Sequence, residues 1–598
     1  MLVLADWYYN FKIGSSAWDS AYHSQTLWGL LHGSLSPSVL GANFITDHCF
    51  FLSFLLAPLY WIWPSPLLLL YLKVGGFLGG AYIFFLIVKK YLHPLIALGG
   101  MIAFILAPAN ISLMHCAFNY EPFSIPLVFL IFKSLDENRF RPYILCCLLL
   151  ALLKEQMPLL VIMFGIYSFF FKKEERIKWA LAPLLIGLTI FILEIFVVMP
   201  HFRKDLPLSQ GYYWTRYMQY GKTPPEILFF LFTHPVNILN ILFSPPIVQW
   251  YNGLFGVWGE LALFSPHILL IALPLFLKNI LSNDPQEHLV TTAYYAATFT
   301  PFIFLASWNT LNHIRNKWRL PIHALALSLM FIHTLFYMSL GWPNSNITGN
   351  TLARIRLIER IPPEASVLSS WATLPALCNR KELYPFQNYL TGSYHVSGRG
   401  FELPEHTDYL LLDFADEWLI NRRPNEYIPK VTALNFDNRW RLQESIEDIA
   451  LYAKNPSRQK ADRLIERSFK PFPVKNTNSQ IFDDTITLEG IDFPKTFPQK
   501  YRIFPLHMYW KCLNRTTARY DILINITDSK GKSYYIKRRP IGSTIYPTYF
   551  WKKKEHIKES YFYLLPPMPQ GNFGMKISVY NAVSKKWIGK IEENFSVS

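Results

Sequence analysis

Between residues 46 and 342 the chain is almost entirely Leu, Ile, Phe, Ala and Pro, in one long run after another with few charges inside them. A helix of a soluble protein hides one stripe and shows water the other. Segments apolar on every side must be wholly enclosed or lie in lipid. This excludes a wholly soluble enzyme, a disordered chain and a single-span anchor. It leaves a multipass α-helical membrane region followed, from about residue 343, by sequence of ordinary soluble character. Composition agrees: 16% of all residues are charged, against about 25% in soluble domains. The soluble part, roughly 250 residues, is long enough for one or two cores of its own.

Reading the apolar runs with a window of about 20 residues predicts spans at 67–88, 94–114, 120–133, 142–154, 157–171, 178–199, 227–245, 255–281, 291–309 and 320–340. The shorter segment 50–63 reads as a surface-lying or partial span. Basic residues cluster at Lys89-Lys90, in the 133–142 loop, at Lys172, Lys173, Arg176 and Lys178, and at Arg315, Lys317 and Arg319. The alternate loops 109–121 and 282–289 carry no Lys or Arg. The basic loops are expected in the cytoplasm. Residues 1–45, 109–121 and 200–226, and everything after 342, are then expected on the outer side. The protein is thus expected in a bacterial inner membrane with a periplasmic or extracellular C-terminal part. Outer placement of residues 1–45 leaves two readings, a short tail that crosses unaided and an apolar segment upstream of Met1, and the second is expected because Met1-Leu2-Val3-Leu4 is too short to translocate them. One outer loop, 200–226, breaks the bias with Arg203, Lys204, Arg216 and Lys222. Binding of an anionic group and a tolerated exception are both open readings of it.

The formal net charge is +16. Much of it flanks apolar runs, and no nucleic-acid-binding motif accompanies it, so a lipid bilayer rather than nucleic acid is the expected partner. The six cysteines form no CxxC pair and no metal-ligand spacing, so neither a disulfide framework nor a zinc site is expected.

A set of polar residues stands at the predicted outer ends of the apolar runs. Asp19 lies in Trp18-Asp19-Ser20-Ala21-Tyr22-His23-Ser24-Gln25, Asp47-His48 precedes the 50–63 run, and Glu121 opens a span after Asn119-Tyr120. Lys154-Glu155-Gln156 separates two runs. Ionisable groups there are costly unless paired, hydrated or used. Asp19, Asp47, Glu121 and Glu155 are candidates for convergence on one outward site, where carboxylates act as general base or hold a divalent cation. The plain alternative is interfacial caps and ion pairs, with Lys154 and Glu155 pairing to each other across a helix end.

The run Trp-Asp-x-x-x-x-x-Gln-x-x-Trp, then Asp47-His48, then a helix ending Ala57-Pro58-Leu59-Tyr60 and Pro64-Ser65-Pro66-Leu67, resembles a family of bacterial membrane proteins called domain of unknown function 2079. Phe118-Asn119-Tyr120-Glu121-Pro122-Phe123 and Leu153-Lys154-Glu155 resemble that family's His-Pro-Glu and Lys-Glu-Asp elements. The resemblance covers roughly residues 8–455. The family in turn resembles the multispan glycosyltransferases of the GT-C superfamily, which take a sugar from a polyprenyl-phosphate carrier at the outer face of the membrane. The implied fold is therefore a GT-C-like helical membrane domain. The implied base is Asp19, in the first outer loop, and the resemblance also implies a span before it. Asp47 and Glu121 are expected beside Asp19 as catalytic carboxylates. His48, Lys154, Glu155, Arg203 and Lys204 are expected to bind substrate, with Arg203, Lys204 or Lys154 facing the leaving phosphate. The implied partners are a polyprenyl-phosphate-linked sugar and a glycan, lipid or protein acceptor. A divalent cation is the only cofactor considered. Three positions depart from the family: Ser24 replaces an Asp, Asn119 the His, and Gln156 an Asp. A rival reading follows from these losses, a non-enzymatic relative acting in envelope assembly or glycan binding. A transporter is a third reading, but no inverted repeat of interrupted helices supports it.

The remaining chain divides by pattern, giving expected domains at 1–345, 346–460 and 461–598. Leu352–Arg360 reads as helix, Ala365–Ser369 and Asp408–Asp413 as strands, and Trp440–Gln443 with Asp448–Tyr452 as a hairpin, together a small α/β domain. No Gly-rich loop follows a strand, so nucleotide binding is not expected. Beyond 461 the pattern is all β: Leu506–Leu513, Tyr520–Asp528, the turn Ser529-Lys530-Gly531-Lys532, Ser533–Lys537 and Asn572–Tyr580. It resembles the jelly-roll-like β-sandwich that some GT-C-like proteins carry, which would offer a glycan surface.

Overall fold

The structure, a computed structural model, describes residues 17–207, 213–291, 293–314, 349–416, 420, 424–457, 462–499 and 502–598. Two compact units emerge. Described residues 17–314 with Ser393–Gly400 form one, and 349–392 with 401–598 form the other.

The first unit is helical. Helix α1 (Ala17–Leu31) and α2 (Leu52–Ile62) bracket a short 3-10 turn at Phe44–Thr46. Then come α3 (Pro66–Lys89), α4 (Pro94–Leu106), α5 (Pro108–His115), α6 (Ser124–Asp136), α7 (Phe140–Ala151), α8 (Met157–Phe171) and α9 (Arg176–Ile192). The last of these continues through a π-helical stretch, Leu193–Val198, to Arg203. Proline sets many of the starts: Pro66 and Pro94 stand in the first turn of their helices, where the missing N–H costs nothing. Ser65 caps α3 by accepting from the Leu67 N–H.

Among the described residues two helices are long and apolar enough to cross a membrane, Pro66–Lys89 and Arg176–Arg203. The spans expected at 67–88 and 178–199 lie in these. The span expected at 94–114 is broken: Pro108 ends α4 and starts α5 at a bend of 52°, because a proline disfavours helix in the residue before it. The run at 227–245 breaks in the same way at His234-Pro235. The runs 142–154 and 157–171 form shorter apolar helices. The run 255–281 divides at Ser265-Pro266, and 320–340 lies outside the described residues. Helix α2 shows Phe54, Leu55, Trp61 and Ile62 on its exposed side, as a helix in contact with lipid does.

The helices pack closely where glycine permits it. A Cβ on Gly165 of α8 would meet the Ala180 carbonyl oxygen of α9 at 2.8 Å, and one on Gly187 would meet the Pro158 carbonyl oxygen at 2.8 Å. The two backbones therefore touch at a reciprocal pair of glycines, the packing by which membrane helices gain contact without a hydrophobic drive. Phe84, Phe104, Phe129, Phe304 and Trp308 fill the adjoining core.

The second unit is β-rich. A five-stranded mixed sheet has the order β2-β1-β3-β5-β4, from β1 (Val367–Ser369), β2 (Leu383–Pro385), β3 (Tyr409–Asp413), β4 (Trp440–Ile446) and β5 (Ile449–Lys454). Strands β1, β2 and β3 run parallel, and β4 and β5 form the expected hairpin. Ten further strands follow: β6 (Ile465–Ser468), β7 (Thr477–Phe482), β8 (Ile486–Asp492), β9 (Thr496–Phe497), β10 (Ile503–Cys512), β11 (Tyr520–Asp528), β12 (Ser533–Pro540), β13 (His556–Leu564), β14 (Gly571–Asn581) and β15 (Lys586–Val597). They make two five-stranded sheets, β6-β13-β10-β8-β7 and β12-β11-β14-β15-β9. Phe504 of one sheet packs on Phe595 of the other at 5.0 Å. The mixed sheet is tied to them through Glu447, whose carboxylate accepts from Tyr535 and from the Leu564 N–H, and through Lys537 on Asp448.

Candidate functional site

The candidate residues gather where α1, the 44–50 segment, the 116–123 turn and the 152–156 turn meet. All but Asp19 are delivered by interruptions of helix. Asp19 is in the first turn of α1. Asp47 caps the 3-10 turn at Phe44–Thr46 rather than opening a helix. Glu121 begins a 3-10 turn ahead of α6, and Lys154-Glu155 lie in the bend between α7 and α8.

Lys154 and Glu155 do not pair with each other. The ammonium of Lys154 donates to Glu121 Oε1 at 2.7 Å, both side chains being buried. Glu155 turns the other way: Nδ1 of His48 donates to its Oε1 at 2.8 Å, and the Cys49 N–H to its Oε2 at 3.3 Å. A carboxylate only accepts, so Nδ1 carries a proton, and Nε2 faces Asp47, 3.8 Å away. Burial works to raise the Glu155 carboxyl, but His48 and Lys154 overcome it and hold the group down at about 2. Burial likewise works to lower Lys154, and the carboxylates of Glu121 and Glu155 outweigh it and raise the ammonium.

Asp19 is the exception in this cluster. It is partly exposed and pushed up to about 7, first by loss of water and then by the Asp47 charge, with Lys154 opposing. Glu121 and His48 also act on it, so Asp19, Asp47, Glu121, His48 and Lys154 share one electrostatic neighbourhood. An aromatic wall backs them. Phe50 stacks on Tyr120 at 4.5 Å, His23 sits edge-on to both, and the Tyr120 hydroxyl lies 2.6 Å from Ser53 Oγ. Burial pushes the His23 imidazole well below its ordinary range, so it is neutral. Of the other candidates, Arg203 donates to the Thr46 carbonyl at 3.2 Å, next to Asp47. Lys204 is exposed.

Among the described residues no three His, Cys, Asp or Glu side chains form a group able to hold a metal ion. Glu121 Oε1 is engaged by Lys154, and the Glu155 oxygens by His48 and the Cys49 N–H. All six cysteines are free thiols.

The sequence reading missed Lys73. It lies inside α3, fully buried, and donates to the carbonyls of Cys116 and Ala117 at 2.8 and 3.0 Å, just past the end of α5. It thereby pins the turn that carries Glu121. The signal was visible: a lysine within a 24-residue apolar helix is rare unless it serves something.

The family described as "Predicted membrane protein (DUF2079)" matches residues 10–447. The chain belongs to this family. The matched residues include every candidate above and the mixed sheet up to the turn between β4 and β5. No curated protein matches the chain. Among solved structures, ArnT from Cupriavidus metallidurans bound to undecaprenyl phosphate is similar at 10% identity and TM-score 0.41, over 77% of this chain and 98% of that one. ArnT from the same organism in the apo state gives 11% identity and TM-score 0.34 over the same shares.

Proposed function

We propose that this membrane protein is a glycosyltransferase that moves a sugar from a polyprenyl-phosphate carrier to an acceptor hydroxyl at the outer face of the inner membrane. The observation that carries this reading is Asp19. It is a partly exposed carboxyl near neutrality at the rim of a buried, charge-paired cluster, which is what a general base at physiological pH requires. In the transfer, the acceptor oxygen forms a new bond to the anomeric carbon while its proton passes to Asp19. The bond from that carbon to the phosphate oxygen breaks, and the electron pair leaves with the polyprenyl phosphate. Lys154 supplies positive charge close by, fixed by Glu121. Glu155 and His48 hold the 47–49 segment, and with it the Asp47 charge that acts on Asp19.

A second reading has its own observation. Ser24 Oγ and both polar atoms of Asn119 are buried without a hydrogen-bond partner among the described residues. These are two of the positions where the family resemblance expects ionisable groups. A non-enzymatic relative would retain such positions as relics.

The deciding experiment is transfer of labelled sugar from a panel of polyprenyl-phosphate sugars by purified protein, beside Asp19→Asn. Transfer by wild type that the variant lacks upholds the first reading, and no transfer with any carrier favours the second. The orientation is tested separately. A reporter fused after Trp342 is expected to be active only in the periplasm, and cytoplasmic activity would reverse the side on which the site opens.

A further inference from the structure

A second charged cluster lies beside the first, built from the segments 213–220 and 278–288 with Tyr295. Glu287 is at its centre. Arg216 and Lys278 each hold one of its oxygens, Lys278 at 2.7 Å. Arg216 also reaches Asp284 at 3.1 Å. The backbone fixes the arrangement: the Asn283 N–H donates to the Arg216 carbonyl at 3.0 Å, and the Tyr217 hydroxyl to the Lys278 carbonyl at 3.0 Å. Both cations flank the ring of Tyr295, and Lys154 acts on Tyr295 and on Lys278 through its charge. Two acid–base pairs, Glu121–Lys154 and Lys278–Glu287, thus act on one tyrosine.

Two features do not suit a purely structural ion pair. The first is the distribution of exposure. The Glu287 side chain is 0% exposed, while Arg216 and Lys278 each keep 24% of their side-chain surface open. The acid is sealed in while part of each cationic side chain stays open, so a ligand from solvent reaches Arg216 and Lys278 before it reaches Glu287. The second is Asn279. Its Oδ1 lies 3.4 Å from the Lys278 ammonium, and its Nδ2 is buried with no hydrogen-bond partner among the described residues. A buried amide that donates to nothing is costly, and this one belongs to the side chain whose oxygen faces the Lys278 ammonium. Arginine, lysine and an amide N–H together are a donor set for a tetrahedral oxyanion.

We propose that Arg216, Lys278 and Asn279 form a phosphate-binding cradle in which the Glu287 carboxylate stands in for the phosphate until it binds. As the subsite for the carrier's phosphate, the cradle rests on the transfer reading above. As an anion site it does not need that reading. Glu287 gathers the two cations on its two oxygens, and it gives up those hydrogen bonds as phosphate oxygens take them. The consequence runs against ordinary expectation: removing an acid that makes two ion pairs improves binding.

The test is a binding titration with three probes in detergent: polyprenyl phosphate, the matching polyprenol, and inorganic phosphate. It is read by the shift in thermal unfolding midpoint. Glu287→Gln is isosteric and releases both cations. It is expected to bind polyprenyl phosphate at least about tenfold more tightly than wild type, the ratio one charge-assisted hydrogen bond is worth. Lys278→Gln is expected to bind it about tenfold less tightly. Asn279→Ala tests the idle donor and is expected to weaken phosphate binding while leaving the unfolding midpoint without ligand unchanged or higher. If inorganic phosphate alone reproduces this order of variants, the cradle holds and its ligand is free phosphate. If polyprenol shifts the midpoint as much as polyprenyl phosphate, or if folded Glu287→Gln binds no more tightly than wild type, the cradle is overturned. Protein that follows the binding order but transfers no sugar keeps the cradle and removes the transferase. Protein that transfers sugar with an unaltered Glu287→Gln affinity does the reverse.

Discussion

Nδ1 of His48 and Oε1 of Glu155 meet at 2.8 Å across 107 residues of chain. This bond joins the short segment after α1 to the bend between α7 and α8, and it sets the imidazole so that its other nitrogen faces Asp47. A buried pair of this kind is weak evidence of net stability but is expensive to break from one side. Glu155→Gln is expected to destabilise the protein by about 3 kcal/mol, measured by thermal unfolding in detergent. The pH dependence follows from the depressed carboxyl. Its folded value of about 2 lies below the ordinary 4.5. The stabilisation is therefore complete above about 4.5 and is lost as pH falls towards 2. In the variant this acid limb of the stability profile should flatten.

The Lys154–Glu121 pair calls for a double-mutant cycle. Lys154→Met leaves the Glu121 carboxylate buried alone, and Glu121→Gln leaves the ammonium alone. Each single change is expected to cost about 3 kcal/mol, while the double variant recovers most of that, because the uncompensated charge is gone. Activity should not recover with stability, since the positive charge near the reacting phosphate is then missing. A double variant with normal turnover would assign Lys154 to the fold alone.

The helical membrane class, the β-rich second unit and the positions of Asp19, Asp47, Glu121 and Lys154-Glu155 were legible because each leaves a local trace. A carboxylate at the end of an apolar run stands out, and alternation marks a strand. Strand β11 coincides with its predicted range, Tyr520–Asp528. What was not legible is pairing. Lys154 and Glu155 are neighbours in sequence and separate in space, and nothing local says that one turns to Glu121 and the other to His48. The prolines at 108 and 235 are visible in the sequence, but the size of the bend each makes within its apolar run is not. Hydropathy averaged over a long window carries no information on backbone geometry and does not register the kink. Arg216 was noticed only as a violation of charge bias. Its partners Glu287 and Asp284 come from a loop some seventy residues on, the kind of match only the fold supplies.

The glycine contact between α8 and α9 gives a test of the helical unit that leaves the charged cluster untouched. A side chain at Gly187 must displace the Pro158 carbonyl or the neighbouring Ile162. Gly187→Val is expected to destabilise by about 1–3 kcal/mol through overpacking, seen as a lower unfolding midpoint. Gly75, whose Cβ would meet nothing within 4 Å, is the control: Gly75→Ala should leave the midpoint unchanged or raise it slightly, by about 0.5–1 kcal/mol, since alanine is the better helix former.

Asp19 makes the sharpest prediction, because its raised carboxyl separates two pH dependences that usually run together. As a base it must be ionised, so kcat/KM should rise through about pH 7 and level off above, where an ordinary aspartate would already be fully active near pH 5. Stability should run the other way. A carboxyl that holds its proton in the folded state up to about 7, against 3.8 in the unfolded chain, favours the fold at low pH. That contribution is lost as pH climbs between the two values. Asp19→Asn stays neutral throughout. It is expected to lose at least about 10²–10⁴-fold in turnover, to flatten both profiles near neutrality, and to unfold no earlier than wild type above pH 7. A wild-type rate profile with its midpoint near pH 4 would show that Asp19 is solvated in the working protein. An Asp19→Asn variant with an unchanged profile would move the base elsewhere, with Asp47 the next carboxylate to test.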